Sequence, residues 1–486
     1  MQKMRILRRL LPVMLLLAQA GHADTLLQIY EKSLQSDPRI REAEANRLAV
    51  VEGKPIARGA LLPQVSGRMN IANNAADGNT STFFGGLQST RVVDSRDNDA
   101  KNWVLELRQS VFRWDQWVTL SQADKKSTQA DADYQAAQQD LIVRVASAYF
   151  LVLAAEDTLA SEQAAKESIS RQLEQAQKRF EVGLIAITDV QEAQAAYDQA
   201  LATEILAKRT LANNWEALRT IIGELPPKLA KPAEDIPLVS PDPADVESWV
   251  NTALQQNRSV ISSQVGTQIA KDDVSLARTG HYPTVDLVLS RNNTDNEGFS
   301  RAACFQAPQD LDGNNAADLS PDPNRNCVDG NPAGTIVRTE TGTDLETDSI
   351  SLQMSLPIFS GGQTSARVDQ AVYRHRAARE RLERTARETE QQTRDAYLGV
   401  ISDISRVAAL KQALESSRTA LKASEAGYEV GTRTAVDVLD AKRKTYVAEA
   451  LYLRSRYDYL INGLRLKQAA GTLAVDDLAQ VDTLLK

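Results

Sequence analysis

The side chains that could do chemistry are few and poorly placed for catalysis. Three histidines, His22, His281 and His375, stand far apart, without the short spacings that metal ligation uses. Gly361-Gly362 lacks the Lys and Ser/Thr of a phosphate-cradling loop, and after Phe359 it reads as a strand-to-helix junction. Asp310, Asp312 and Asn314 faintly suggest calcium, but Gly313 falls in the wrong place for an EF-hand loop, and a solvated loop is the better reading. No enzyme, cofactor or metal site follows. The pattern offers turns and charges instead. Gly183 and Gly431 can take the left-handed conformation that ends a helix, while Thr188 with Gln191, and Thr434 with Asp437, resemble capping boxes that start the next one. Asp437 and Asp440 are three apart and share a helical face, which on spacing alone is a solvated acidic surface.

The elements that carry these residues belong to an exported chain of 486 residues, 42% hydrophobic and only 5% aromatic. The one long apolar run, Leu10 to Ala20, is too short for a typical spanning helix and follows Lys3, Arg5, Arg8 and Arg9. Residues 1–23 therefore read as a signal peptide, cut after Gly21-His22-Ala23 in preference to Ala18-Gln19-Ala20. Its removal deletes four basic residues and no acid, taking the formal charge from −8 to −12, so nucleic acid is not an expected partner. Cys304 and Cys327 lie in one Gly/Asn/Asp/Pro-rich stretch, where an oxidising compartment favours a disulfide that clamps a loop.

Three landmarks recur in the same order, so the chain is a duplication. Leu62-Pro63-Gln64-Val65 is echoed by Tyr282-Pro283-Thr284-Val285, Ser110-Val111-Phe112 by Pro357-Ile358-Phe359, and Phe180-Glu181-Val182-Gly183 by Tyr428-Glu429-Val430-Gly431. The offset grows from 220 to 247 between the first and second landmarks, where the longer loop carries both cysteines. Residues 24–222 form the first repeat and 246–470 the second. The proline-rich stretch 223–245 is an extended connector, and 471–486 is a C-terminal tail.

Each copy begins with apolar-polar alternation that predicts a hairpin, over about 63–78 and 100–113 and then about 283–295 and 345–359. The remainder has helical periodicity. Residues from about 118 to 181 and from about 364 to 429 carry no proline, and each could extend roughly 95 to 100 Å. Shorter helices are expected over about 26–58, 188–222, 244–280 and 434–470. Strands of this kind suit a membrane barrel with one face toward lipid, but four cannot close one, and open edges are not tolerated in lipid. Several copies must then share a cylinder, three giving twelve strands or four giving sixteen. Phe83, Phe84, Trp103, Trp114 and Trp117 would suit interfacial anchoring.

At the two helical turns the chain resembles the TolC family of trimeric outer-membrane efflux and type I secretion channels. The segments are Arg179-Phe180-Glu181-Val182-Gly183-Leu184-Ile185-Ala186-Ile187-Thr188-Asp189-Val190-Gln191 and Tyr428-Glu429-Val430-Gly431-Thr432-Arg433-Thr434-Ala435-Val436-Asp437-Val438-Leu439-Asp440-Ala441. The likeness extends over essentially the whole mature chain, with the cysteine loop longer than is usual. It implies a mixed α+β membrane protein: a coiled-coil-like α-helical barrel in the periplasm and a transmembrane β-barrel assembled from four strands per chain in a homotrimer. It also implies a periplasmic adaptor, an inner-membrane pump that supplies energy, outer-membrane lipid around the barrel, and passage of substrates without chemistry. Matched by position, Asp189, Tyr428 and Arg433 become gate residues, an Arg fork between carboxylate and phenol that solvent keeps releasable. Asp437 and Asp440 become a pore carboxylate ring that attracts cations and raises its own pKa values by repulsion. Gly183 and Gly431 mark the tips where the adaptor docks. The alternative is a periplasmic coiled-coil adaptor or scaffold with a soluble sheet; a simple diffusion porin conflicts with the long helices.

Overall fold

The computed structural model describes residues 23–84, 87–233, 236–303 and 336–485. In chain order its elements are α1 (Leu26–Ser36), α2 (Pro38–Val51), α3 (Gly53–Leu61), β1 (Gln64–Phe84), β2 (Leu87–Phe112), α4 (Trp114–Glu181) and α5 (Ile187–Ile222). The second copy follows with α6 (Val246–Gln256), α7 (Arg258–Arg278), β3 (Thr284–Ala303), β4 (Ile336–Ser355), α8 (Gln363–Glu429) and α9 (Ala435–Ala469), and α10 (Val475–Asp482) ends it. No described helix is long and apolar enough to cross a membrane. Cys304, Cys327 and the signal segment up to His22 lie outside the described residues.

The chain divides into two compact units. One comprises Met1–Glu52, Asp124–Lys271 and Val372–Lys486; the other comprises Gly53–Ala123 and Asp272–Ala371. In the first, α4 buries Leu141, Val145, Tyr149, Phe150, Val152 and Leu153 at three-and-four spacing, the stripe of a helix packed on one side. Phe150 stacks on Tyr457 of α9 at 5.7 Å and meets Tyr149 edge-on at 5.5 Å. The Tyr149 hydroxyl donates to Ala230 O at 2.7 Å, so the connector's backbone is satisfied from the helical core. Farther along the connector, the Trp249 indole donates to Pro243 O and the Tyr397 hydroxyl to Ala244 O, at 2.8 and 2.6 Å. The C-terminal tail is itself helical in part: α10 buries Leu478 and packs against α1.

The second unit holds one antiparallel sheet in the order β1-β2-β3-β4. Its strands run farther toward the hairpin loops than expected, because backbone pairing continues past residue 78, from Asn79 opposite Val92 to Phe84 opposite Leu87, where apolar alternation has ended. β4 ends at Ser355 instead of near residue 359, since Pro357 has no N–H to give a ladder. Val65, Leu107, Leu289 and Ile350 form one row across the four strands, and Gly67, Leu105, Arg291 and Asp348 the next. One face is therefore apolar at the helix-proximal end, with Val65, Met69, Ile71, Leu105, Ile350, Leu352 and Met354 all exposed. Gln109 interrupts this face because its amide donates to Leu61 O at 2.9 Å. β1 and β4 are the sheet's two open edges.

Candidate functional site: the helical tips

Both tips are built by backbone chemistry that their sequences dictate. Gly183 and Gly431 sit at φ +76° and +80°, where a side chain would be strained. The amide of Gly183 donates to Phe180 O and that of Leu184 to Arg179 O, each at 2.8 Å, closing the end of α4. At the second tip, the amides of Gly431 and Thr432 donate to Tyr428 O and Gly427 O. Thr434 then caps α9: its hydroxyl accepts from Asp437 N at 3.2 Å, and Asp437 answers by accepting from the Thr434 amide at 2.9 Å. The first tip lacks the corresponding box. α5 begins at Ile187 with Ala186 as its uncapped N-cap, which places Thr188 already inside the first turn, two residues too late to cap it.

Behind the tips, α4 and α5 meet through Ile169, Leu173, Ala176, Ala193 and Ala200, with Leu439 of α9 joining the cluster. The alanines permit a close approach of the backbones. Glu204, buried on α5, accepts from Lys166 at 2.6 Å and Lys208 at 2.8 Å. These two ammonium groups hold its carboxyl down at about 2. α8 and α9 are joined with more charge, Arg418 to Glu449 at 2.9 Å and Lys442 to Glu425 at 3.5 Å, around buried Leu414 and Val438. A groove of about 530 Å³ lies beside the tips, lined among others by Ile169, Glu192, Val436, Asp440 and Arg443.

Within one chain, no hydrogen bond or ion pair joins the residues matched to the gate to one another among the described residues. Tyr428 is engaged by Arg179, whose guanidinium donates to its hydroxyl at 2.8 Å and lies 5.0 Å from its ring centroid. Arg433 instead folds its stem over Gly427, where a Cβ would come within 2.7 Å of Arg433 Cγ. Neither the Arg433 guanidinium nor the Asp189 carboxylate has an ion-pair partner within the chain among the described residues. Arg179 is thus the site residue that motif matching missed. The signal was the repeat itself, which aligns Arg179 with Gly427 and so marks a position where the tips differ.

Within a single chain, local partners govern the acidic pair. Asp437 is held below the ordinary carboxylate range by the Thr434 amide and hydroxyl, and Asp440 by Lys444 at 2.6 Å and Arg443 at 3.0 Å. Within one chain, local donors outweigh the mutual repulsion that would raise both values, because bonds at 2.6 to 3.0 Å outweigh repulsion across a solvated helix face.

A membrane-type sheet with open edges, followed in each repeat by a helical hairpin with a specified tip, defines an outer-membrane channel subunit. Residues 29–224 and 249–472 match the family described as outer membrane efflux protein, and the chain belongs to that family. It is 34% identical to the outer membrane protein TolC of Vibrio cholerae, over 97% of this chain and 96% of that protein. It is 35% identical to TolC of Escherichia coli, over 99% and 90%, and 27% identical to the alkaline protease secretion protein AprF of Pseudomonas aeruginosa, over 96% and 89%. The Campylobacter jejuni CmeC outer membrane channel has the same fold at TM-score 0.70, 17% identity and coverage of 94% and 89%. The protein is an efflux channel of the outer membrane, and the scaffold alternative finds no support among these relatives.

Proposed function

We propose that three copies of this chain close one twelve-stranded barrel in the outer membrane and one helical conduit in the periplasm. The observation that supports this most strongly is the four-stranded sheet with two open edges and an exposed apolar face, which lipid cannot accommodate singly. In this reading an inner-membrane pump drives export, and a periplasmic adaptor bridges the pump to the tips at Gly183 and Gly431. Drugs and secreted proteins are both candidate cargo, the latter because AprF is a protease secretion protein. Asp189 and Arg433, without an ion-pair partner in the chain among the described residues, link neighbouring copies at the closed tip, while Asp437 and Asp440 contribute a ring of six carboxylates.

The test combines native mass measurement of detergent-extracted protein with single-channel conductance in planar bilayers. A trimeric mass and a small native conductance that Asp189→Ala/Arg433→Ala enlarges are expected. A monomer that conducts nothing would overturn the proposal.

A further inference from the structure

The proposed closure by several copies leaves open which residues meet where one chain's β4 joins the next chain's β1. We infer that this seam has a single register, in which Ile350, Leu352, Met354 and Leu356 of β4 and its exit lie opposite Ile71, Met69, Gly67 and Val65 of a second copy's β1. The occupant of the open edge is thus another copy of this chain, joined strand to strand.

Four strands per chain make the seam antiparallel, since β1 and β4 run in opposite directions within the sheet. The apolar face must also stay on one side. Val65, Met69 and Ile71 share that face with Ile350, Leu352 and Met354 through the intervening rows, so odd-numbered β1 residues must oppose even-numbered β4 residues. Only shifts of two residues remain as alternatives. In the inferred register every apolar β4 residue from 350 to 356 meets an apolar side chain or Gly67, and Asp348 meets Asn73. On the other face, Gln353 meets Arg68 and Ser351 meets Asn70.

The two neighbouring registers are worse for identifiable reasons. Sliding one way sets Asp348 against Ile71, placing a carboxylate beside exposed apolar surface. Sliding the other way sets Ile350 against Asn73 and requires Ile358 to pair with Val65, beyond Pro357 and the end of β4 at Ser355. Gly67 fits the inferred register because it has open space around its missing Cβ, leaving room between Leu105 in its own chain and Met354 of the neighbour. Closure then has a definite stagger. A row that leaves β1 at Val65 crosses Leu107, Leu289 and Ile350 and arrives on the next copy at Ile71. That climb of about 20 Å along the strand per chain is of the kind tilted barrel strands require.

The test is disulfide trapping in the full-length membrane protein. Ile71→Cys/Ile350→Cys should yield covalently joined chains on mild oxidation, because directly opposed strand residues have the separation a disulfide needs. Asn73→Cys/Ile350→Cys and Met69→Cys/Ile350→Cys should cross-link at least tenfold less, since diagonal partners lie too far apart. Native Cys304 and Cys327 are retained, and the joined peptides are identified by mass spectrometry, so no variant needs to lose them. Cross-linking at an off-register pair in a protein of trimeric native mass overturns the register alone. Chains that run as monomers by native mass overturn the closure beneath it as well. As a second readout, Gly67→Trp should block assembly while leaving expression in the membrane; a trimer carrying this substitution with native yield would also refute the seam.

Discussion

The Arg179–Tyr428 contact is the sharpest target for perturbation, because it ties the two tips of one chain together across solvent. It consists of one hydrogen bond at 2.8 Å from a charged donor and a guanidinium 5.0 Å from the ring centroid. Arg179 is exposed and Tyr428 half-buried, so the hydrogen bond contributes about 0.5–1 kcal/mol, below the range for buried charged bonds. The ring contact adds about 0.5–1 kcal/mol. Tyr428→Phe keeps the ring and loses only the bond; Arg179→Ala loses both. In a trimer whose tips open together the costs triple, to about 1.5–3 kcal/mol for Tyr428→Phe and about 3–6 kcal/mol for Arg179→Ala. At tenfold per 1.4 kcal/mol, the first should raise the open-to-closed ratio about 10- to 100-fold, and the second further still. The assay is open probability in planar bilayers at fixed salt. If Arg179→Ala leaves the closed state unchanged while Asp189→Ala/Arg433→Ala opens it, the contact within the chain is no latch and the reasoning fails.

Three further outcomes are expected. Gly471→Ala should destabilise the helical unit by about 3 kcal/mol or more, because its φ is +75° and a Cβ would lie 2.3 Å from Gln256 O, whereas Gly183→Ala, strained but in open space, should cost only about 1 kcal/mol; denaturant unfolding compares them. Glu204 has a folded pKa of about 2, below its unfolded value of about 4.3, so its contribution is complete above that value and is lost as pH falls through 2. Glu204→Gln should therefore flatten the acid limb of the stability profile between those two pH values, read by helical circular dichroism. Asp437→Asn/Asp440→Asn should weaken cation preference, measured as a reversal-potential shift toward zero in a salt gradient, and native preference should survive mild acid because both carboxyls sit below their ordinary range. An unchanged reversal potential would remove these residues from the pore.

Much of the architecture was legible because its signals are local or repeated. The echo of Phe180–Gly183 in Tyr428–Gly431 located both tips, and the positive φ of both glycines follows from what only glycine tolerates cheaply. Strand ends were harder to read. Beyond Asn73 the side chains no longer alternate, yet backbone bonds continue to Phe84, and backbone pairing leaves no mark in composition. Thr188 misled for the opposite reason: a correct capping spacing was present, but the chain enters α5 at Ile187 and leaves the threonine inside the helix.

By itself, the order of residues determined the duplication, the two hairpins, the long helices and the turns, since periodicity and glycine or proline placement act over a few residues. Only the tertiary structure decided which charges meet. Arg179 reaches Tyr428 across 249 positions and Lys166 reaches Glu204 between helices, whereas the Thr434–Asp437 cap, three residues apart, was already legible in the spacing. Those choices depend on the separation and rotation of packed helices. Electrostatic partners are set by distances of a few ångströms, and no pattern along the chain encodes such distances.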